Sequence, residues 1–309
     1  MVKNKIDKIT IIGTDIGNEE VQTSEMVTFH SKVKIGTKAI NKNDIKVEYN
    51  KMKYTIGEGN NNIGLNKYKN TNYKVTLLTA IAKSIKSNKI ECNLVVGVPV
   101  EIFNKNKEIV DDLKETIKSW GQQTIIVNEE VKIIDIQDVE VFCESGIVFS
   151  DRERFENEKT LVVDLGGGTL DISLWNGLDL VDCKSNDKMG MINLYKSILE
   201  EVNNTYKCNL NYEDAKAMIG KEEYKINREI QDISFVDAIV ENFVIGLASD
   251  LNQLFPFSNC DSVQLIGGGA IALKEYFIDK KMIEKAEVNK DANFLNAKTY
   301  KKVGELIWC

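Results

Sequence analysis

Short apolar runs alternate with amphipathic stretches along most of the chain. Apolar runs rich in β-branched residues predict strands over 9–15, 93–98, 124–127, 139–142, 161–164, 170–175, 178–183 and 262–266. Apolar residues three or four positions apart predict amphipathic helices over 75–85, 109–120, 191–202 and 235–251. Alternation over 27–57 predicts antiparallel hairpins, followed by a Gly/Asn-rich loop over 57–64. Strands separated by helices predict an α/β fold in which part of a sheet is parallel.

One arrangement of elements occurs twice in the chain. A strand, a glycine turn containing Asp, a hairpin and a helix begin near residue 9, and the same order begins again near residue 161. The two segments share little sequence. The repetition predicts two similarly built halves with a cleft between them.

Composition narrows the class of protein. The 309 residues carry 40 Lys+Arg against 47 Asp+Glu, a net charge of -7, which argues against direct binding to nucleic acid. Three arginines and the single His30 leave little basis for Arg-based phosphate recognition or His-dependent catalysis. Six scattered cysteines without a C-x-x-C pair indicate a reducing compartment. Residues 1–8 lack the apolar core of a signal peptide, and no apolar run is long enough to cross a bilayer, so we expect a cytoplasmic protein.

Three glycine-rich segments follow predicted strands. Glycine permits positive φ and lets a ligand approach backbone N–H groups, and successive N–H groups form an anion-binding nest. None of the segments continues as a Walker A loop or reads G-x-G-x-x-G. The segments are Asp15-Ile16-Gly17-Asn18, Asp164-Leu165-Gly166-Gly167-Gly168-Thr169 and Gly267-Gly268-Gly269-Ala270.

The two aspartates that open the first two segments suit a nucleotide. Asp15 and Asp164, facing each other across a cleft, would meet the Mg²⁺ of a nucleotide through its waters, because Mg²⁺ gives up its hydration reluctantly. The two nests would hold the phosphates, and the third segment would leave room for base and ribose. The structural alternative is that both aspartates cap their own turns. The order of all three segments favours the nucleotide.

These segments resemble the motifs of the actin-like ATPase superfamily. The segment at Asp15 is similar to its first phosphate motif, the segment at Asp164 to its second, and residues 265–270 to its adenosine motif. Within the superfamily the chain resembles the ParM-type plasmid-segregation actins. That resemblance rests on residues 54–59, 96–100 and 144–146 and on the tail 296–304.

The resemblance implies an actin-like (ribonuclease H-like) two-lobed fold with a nucleotide cleft between the lobes. Domain I would span 1–163 and regain the C-terminal segment 290–309, and domain II would span 164–289. The implied function is an ATP- or GTP-hydrolysing, Mg²⁺-dependent protein that forms polar filaments. The filaments would segregate plasmid DNA through a ParR-like adaptor bound at their ends.

The resemblance also assigns residue roles. Glu144 would position or activate the attacking water; without the family, an acid favoured by a helix N-terminus is the simpler reading. Gly190 would lie on the ribose side. The nucleotide-binding set is Asp15, Gly17, Asn18, Asp164, Gly166, Gly167, Gly168, Thr169, Gly190, Gly267, Gly268 and Gly269, and the set near the metal is Asp15 and Asp164.

One departure concerns charge. The family's first motif usually continues to a lysine that touches the phosphates, whereas Gln22 stands here after two acids, Glu19 and Glu20. The choice between ATP and GTP therefore stays open.

Three other classes stay open beside the filament. A chaperone-type ATPase shares the segment 164–173 but should carry a substrate-binding domain after it. A sugar or acetate kinase needs a catalytic base and a substrate pocket, for which the sequence offers no candidates. A membrane-associated cell-shape or division scaffold needs an amphipathic terminal helix, and residues 6–12 have a strand pattern instead.

Overall fold

The computed structural model describes residues 9–36, 44–60, 64, 66–186 and 189–309. The charged N-terminal segment 1–8 lies outside these ranges. So do residues 61–63 of the predicted polar loop and Lys188, which precedes Gly190 by two positions.

The strands within these ranges are β1 (Thr10–Ile16), β2 (Glu20–Thr23), β3 (Thr28–His30), β4 (Val33–Ile35), β5 (Ile45–Tyr49), β6 (Met52–Ile56), β7 (Lys89–Val98), β8 (Gln123–Val127), β9 (Glu130–Cys143), β10 (Lys159–Leu165), β11 (Leu170–Asn176), β12 (Asp179–Asn186), β13 (Glu223–Ile226), β14 (Glu229–Asp232), β15 (Ser262–Ile266) and β16 (Ala286–Val288). The α-helices are α1 (Thr71–Ser84), α2 (Val100–Lys105), α3 (Lys107–Lys118), α4 (Arg152–Phe155), α5 (Met191–Tyr206), α6 (Tyr212–Met218), α7 (Phe235–Leu254), α8 (Gly267–Ala272) and α9 (Leu295–Trp308).

The chain forms two compact units. The first unit contains Met1–Ser150 and Phe294–Cys309, and the second contains Asp151–Asn293. The sequence-based boundary between 163 and 164 cuts through β10 instead. Both neighbours of β10 in its sheet, β11 and β15, belong to the second unit, so the whole strand belongs there and the division between units lies earlier in the chain.

A mixed sheet organises the first unit, in the order β3-β2-β1-β7-β9-β8-β5-β6-β4. Strands β1, β7 and β9 run parallel, so their carboxyl ends reach one edge of the sheet. Residues 37–43 of the predicted hairpin region 27–57 lie outside the described ranges, and the described part of that region forms antiparallel pairs, such as β5 with β6. The apolar stripe of α1 is buried with this sheet in one hydrophobic core.

The C-terminal helix α9 packs closely on strands of the first unit. A Cβ at Gly13 in β1 would lie 2.0 Å from the Ala297 carbonyl oxygen, and one at Gly97 in β7 would lie 2.2 Å from the Tyr300 hydroxyl. Glycine at these two positions therefore lets the helix approach the strands. Tyr300 is fully buried as a result.

The second unit has a sheet in the order β12-β11-β10-β15-β16 and a separate hairpin of β13 and β14. Strand β10 is antiparallel to β11 and parallel to β15, whose carboxyl end lies beside its own. Helix α5 buries its predicted apolar stripe in a core with these strands. Helix α7 buries Leu247 and Leu251 as predicted, but its first turns bury Val236, Val240 and Val244, and the predicted Phe235, Ile239 and Phe243 are only partly buried. Among the described residues, no helix combines the length and apolar character needed to span a bilayer.

The bounds or type of two further predicted elements differ from the structure. Strand β9 begins at Glu130, well before the predicted 139, because β7 and β8 pair with its polar first half as well. The third glycine segment was expected to be a turn, but it forms the first residues of α8. Gly267, at φ +85°, makes the reversal that separates β15 from that helix.

Candidate functional site

The first glycine segment closes the hairpin between β1 and β2. Asp15 lies near the end of β1 and pairs in register with Gln22 of β2, while Gly17 and Asn18 make the turn. A Cβ at Gly17 would lie 2.8 Å from the Glu20 carbonyl oxygen, so the turn is too tight for a side chain there. The Ser31 hydroxyl donates to the Asn18 carbonyl (2.8 Å) and fixes the turn from outside.

Glu144 follows β9 directly, at the same edge of the sheet. Its N–H donates to the Val98 carbonyl oxygen at the end of β7 (2.8 Å). The next residue, Ser145, is buried with φ +61°, a conformation that costs energy for a residue other than glycine. A Cβ at Gly146 would lie 2.5 Å from the Phe142 ring, so glycine allows the chain to turn sharply after Glu144.

Asn296 of α9 connects these two segments. Its Nδ2 donates to Asp15 Oδ2 (3.2 Å), and its Oδ1 accepts from the Ser145 N–H (3.1 Å). One buried amide therefore holds the first aspartate beside the residue that follows Glu144. The tail 296–304 was singled out in the sequence, but no role for Asn296 followed from it.

Lys67 contacts the first glycine turn, and the sequence did not indicate it. It begins a short 3₁₀ helix, Lys67–Lys69, and its partly buried side chain donates from Nζ to the Ile16 carbonyl oxygen (2.6 Å). Its sequence separation of 51 residues from that turn, with no motif around it, left no signal in the sequence.

The charges at this edge of the first unit perturb one another. Burial raises the pKa of the Asp15 carboxyl, while the hydrogen bond from Asn296 and the charge of Lys67 oppose the rise. Burial lowers the pKa of the Lys67 ammonium, and the carboxylates of Glu144 and Asp15 oppose that change. Tyr73, in the first turn of α1, has its pKa raised by burial and by the same two carboxylates. Asp15, Glu144, Lys67 and Tyr73 therefore form one interacting group.

The second glycine segment closes the hairpin between β10 and β11. Asp164 is 8% exposed at the end of β10. The Gly166 N–H donates to the Thr169 carbonyl oxygen (3.0 Å), so residues 166–169, including Gly167 and Gly168, form a tight turn.

Gly190 packs directly on this turn. It precedes α5, and a Cβ there would lie 2.5 Å from the Gly168 carbonyl carbon and 2.6 Å from the Gly167 oxygen. The first two N–H groups of α5 donate to the carbonyls of Gly166 (3.1 Å) and Gly167 (2.9 Å). The start of α5 therefore fixes the shape of the turn, and a side chain at Gly190 would displace it.

The third glycine segment also lies against the second. A Cβ at Gly267 would lie 2.5 Å from Asp164 Oδ1, and one at Gly269 would lie 2.7 Å from the Leu165 carbonyl oxygen. Apart from its neighbours and its own helix, no atom of the described residues lies within 4 Å of the corresponding position at Gly268. The parallel pairing of Asp164 with Ile266 explains this proximity, because both strands end at the same edge.

The predicted site residues thus gather in two groups, one within each unit. Asp15, Gly17, Asn18 and Glu144 form the first, and Asp164, 166–169, Gly190 and 267–269 form the second. Over the described ranges, no three His, Cys, Asp or Glu side chains cluster as a metal cage. Mg²⁺ bound with a nucleotide uses one or two carboxylates together with waters and phosphates, so Asp15 or Asp164 fits such an ion singly.

Two family descriptions match most of the chain. "Actin like proteins N terminal domain" matches residues 13–146, and "Plasmid segregation protein ParM, C-terminal" matches residues 155–297. Each match contains one of the two glycine turns together with its aspartate. The chain is an actin-like protein of the ParM type, with the two-lobed actin fold.

Solved structures agree with this fold at low sequence identity. An archaeal actin homolog, Ta0583, has a TM-score of 0.81 at 15% identity over 96% of this chain and 100% of its own. The same protein in complex with ADP has a TM-score of 0.77 over the same shares of both chains. A 15-stranded ParM filament from Clostridium botulinum has a TM-score of 0.77 at 19% identity over 96% and 99%. No curated protein matches the sequence.

Proposed function

We propose that this protein binds and hydrolyses ATP or GTP with Mg²⁺ and polymerises into polar filaments. The observation that carries the proposal is the arrangement in the first unit, where Asn296 joins Asp15 to Ser145, the residue after Glu144, and Lys67 contacts the adjoining turn at Ile16. A structural role alone does not require an aspartate, a glutamate and a lysine together beside a tight glycine turn. The ADP-bound relative and the ParM filament with the same fold support it.

In this function each group would have a defined task. Backbone N–H groups of the turns at Gly17 and at 166–169 would bind the phosphates, and the carboxylates of Asp15 and Asp164 would orient the waters of the ion. When bound, Mg²⁺ neutralises charge on the phosphates. Glu144 would accept a hydrogen bond from the attacking water and orient it toward the γ-phosphate, since phosphoryl transfer depends mainly on positioning and charge stabilisation.

The filaments would move plasmid DNA through an adaptor. A net charge of -7 repels DNA, so a basic DNA-binding protein at the filament ends would make the connection. Exposed apolar side chains on both units, including Ile35, Ile230 and Ile245, offer surface for contacts between copies.

The function is tested by sedimentation and phosphate release with Mg-ATP and Mg-GTP. We expect wild-type protein to sediment with one of the two nucleotides and to release phosphate afterwards. Glu144→Gln should still sediment while releasing phosphate about 100-fold more slowly, because a water-orienting carboxylate has been removed. Plasmid DNA added to the filaments should stay in the supernatant.

Glu153→Gln, at an exposed residue of α4, is the control and should behave as wild type. Wild-type rates in Glu144→Gln would exclude the water-orienting role. Absence of nucleotide-dependent sedimentation over a wide concentration range would contradict the filament, and cosedimentation of bare DNA would contradict the adaptor.

A further inference from the structure

Acidic side chains near the turn after β1 would repel a bound phosphate. Two acids, Glu19 and Glu20, follow it, and the Gln22 amide that stands where the family has a lysine is neutral. Gln22 is turned toward Glu20, since its Nε2 donates to Glu20 Oε2 (3.2 Å). Asp15 and Glu144 lie at the same edge, so acidic side chains outnumber the cations contributed by the motif, and a cation beside the turn would favour phosphate binding.

Lys67 is the cation that contacts this turn in the described part of the chain. Its Nζ lies 2.6 Å from the carbonyl oxygen of Ile16, between Asp15 and Gly17. An ammonium has three N–H groups, and within the described ranges Lys67 uses one of them, on Ile16. The remaining two can donate to another oxygen at the turn.

The position of Lys67 is fixed by the residues that follow it. On its C-terminal side, the Tyr68 hydroxyl donates to Asp112 Oδ2 (2.7 Å), and Lys69 Nζ lies 2.7 Å from the same oxygen. The side chain of Asn70 then caps α1 by accepting from the Tyr73 N–H (2.9 Å). Lys67 is therefore presented by an anchored segment and not by a loose loop, which lowers the entropy lost when it binds a ligand.

We propose that Lys67 binds the phosphates of the nucleotide at the first glycine turn and so replaces the motif lysine that Gln22 lacks. The inference rests on the proposed nucleotide binding and names the residue that supplies its positive charge. In this proposal a lysine 51 residues away from Ile16 in the sequence binds the phosphates. The family's motif gives that role to a lysine in the strand that follows the turn.

The test compares Lys67→Gln with Lys83→Gln by titration calorimetry. Lys83 is an exposed lysine in the last turn of α1 and takes no part in anchoring Lys67, so it controls for loss of one positive charge. The ligands are ATP, ADP and adenosine, or the guanosine series if wild type prefers it. Lys67→Gln should weaken ATP and ADP binding about 10- to 100-fold and leave adenosine binding unchanged, because a charge-assisted hydrogen bond to phosphate is lost. Lys83→Gln should bind all three as wild type does.

A second measurement needs no variant. Acetic anhydride labels lysines of the wild-type protein, and mass spectrometry reports each site. ATP should protect Lys67 severalfold, adenosine should not, and Lys69 should label equally in all samples.

The outcomes separate the two proposals. If wild type binds nucleotide and Lys67→Gln binds ATP equally well, or if ATP leaves Lys67 labelling unchanged, the Lys67 inference is wrong while the proposed function stands. An equal loss for adenosine and ATP would assign Lys67 a purely structural role and also overturn the inference. If wild type binds no nucleotide at all, both proposals fail.

Discussion

Asn296 is a single side chain whose two amide atoms serve two segments. Its Nδ2 donates to Asp15, and its Oδ1 accepts from the Ser145 N–H. An amide offers both a donor and an acceptor in this geometry, whereas a carboxylate accepts at both oxygens. The identity of residue 296 therefore helps to position Asp15 relative to Ser145.

We expect Asn296→Asp to lower the free energy of unfolding by about 1–3 kcal/mol at pH 7. The new carboxylate loses the hydrogen bond to Asp15 and repels its charge in a buried position. Urea denaturation followed by circular dichroism measures the change. Asn204→Asp, at an exposed position of α5, is the control and should change stability little. If Asn296→Asp were as stable as the control, the hydrogen bonds of Asn296 would make no contribution to the free energy of unfolding.

The sequence indicated some residues of the candidate site and missed others. Asp15, Glu144, Asp164 and the glycines occur next to predicted strand ends, where local pattern reveals them. Lys67 and Asn296 reach the first turn from 51 and 281 residues away. Neither contact leaves a periodicity or spacing in the sequence, because only the tertiary fold brings these residues together.

The 3₁₀ helix Lys67–Lys69 depends on α3 for its position. Asp112 accepts hydrogen bonds from Lys69 and from the Tyr68 hydroxyl, and these hold the pKa of its carboxyl below the ordinary value near 3.8. A carboxyl with a lowered pKa in the folded state stabilises the fold above about pH 4, and this contribution is lost as the pH falls through the folded-state pKa.

Asp112→Asn should therefore lower the melting temperature at pH 7 and have less effect as the pH falls below 4. Thermal unfolding measured between pH 3 and pH 7 gives the two curves. Asp111→Asn changes the adjacent exposed carboxyl and should shift melting little at any pH. A difference from wild type that stays constant with pH would contradict an ionic role for Asp112.

Strands with a mainly apolar sequence were predicted well. Strands that form because neighbouring strands pair with them, and not because of their own apolar pattern, were not predicted. Strands β7, β10 and β15 each contain a mainly apolar run and are buried at most of their positions, as strands covered on both faces are. The first half of β9 carries Asp135 and Asp138, and its pairing with β7 and β8 makes it a strand despite them. The β13–β14 hairpin turns at Asn227 and Arg228, both with positive φ, and buries little that would mark it in sequence.

The two units differ in whether they are built from one continuous segment of the chain or from two. The second unit is one continuous segment, Asp151–Asn293, whereas the first is completed by residues 294–309. Helix α9 buries Ala297, Tyr300 and Val303 in the first unit. Without the helix, the sheet of that unit would expose the apolar surface that these side chains cover.

We expect a fragment of residues 151–293 to fold on its own and a fragment of residues 1–150 not to. Joining 294–309 to the latter through a short Gly/Ser linker should restore folding, because the 145–296 hydrogen bond shows that the two segments lie close together. Cooperative thermal unfolding and amide-proton dispersion in NMR spectra distinguish these cases. A stable, well-dispersed 1–150 fragment would contradict the dependence on α9.

The discontinuous first unit has a consequence for the order of events on the ribosome. Domains usually fold in the order in which they are synthesised, yet here the earlier segment must wait for the later one. The second unit can be complete while β1, β7 and β9 still lack their covering helix. Because Asn296 arrives with that same helix, Asp15 is fixed beside Ser145 only when synthesis has passed residue 296. If the protein has the proposed function, nascent chains would lack a complete first turn for nucleotide until that point in synthesis.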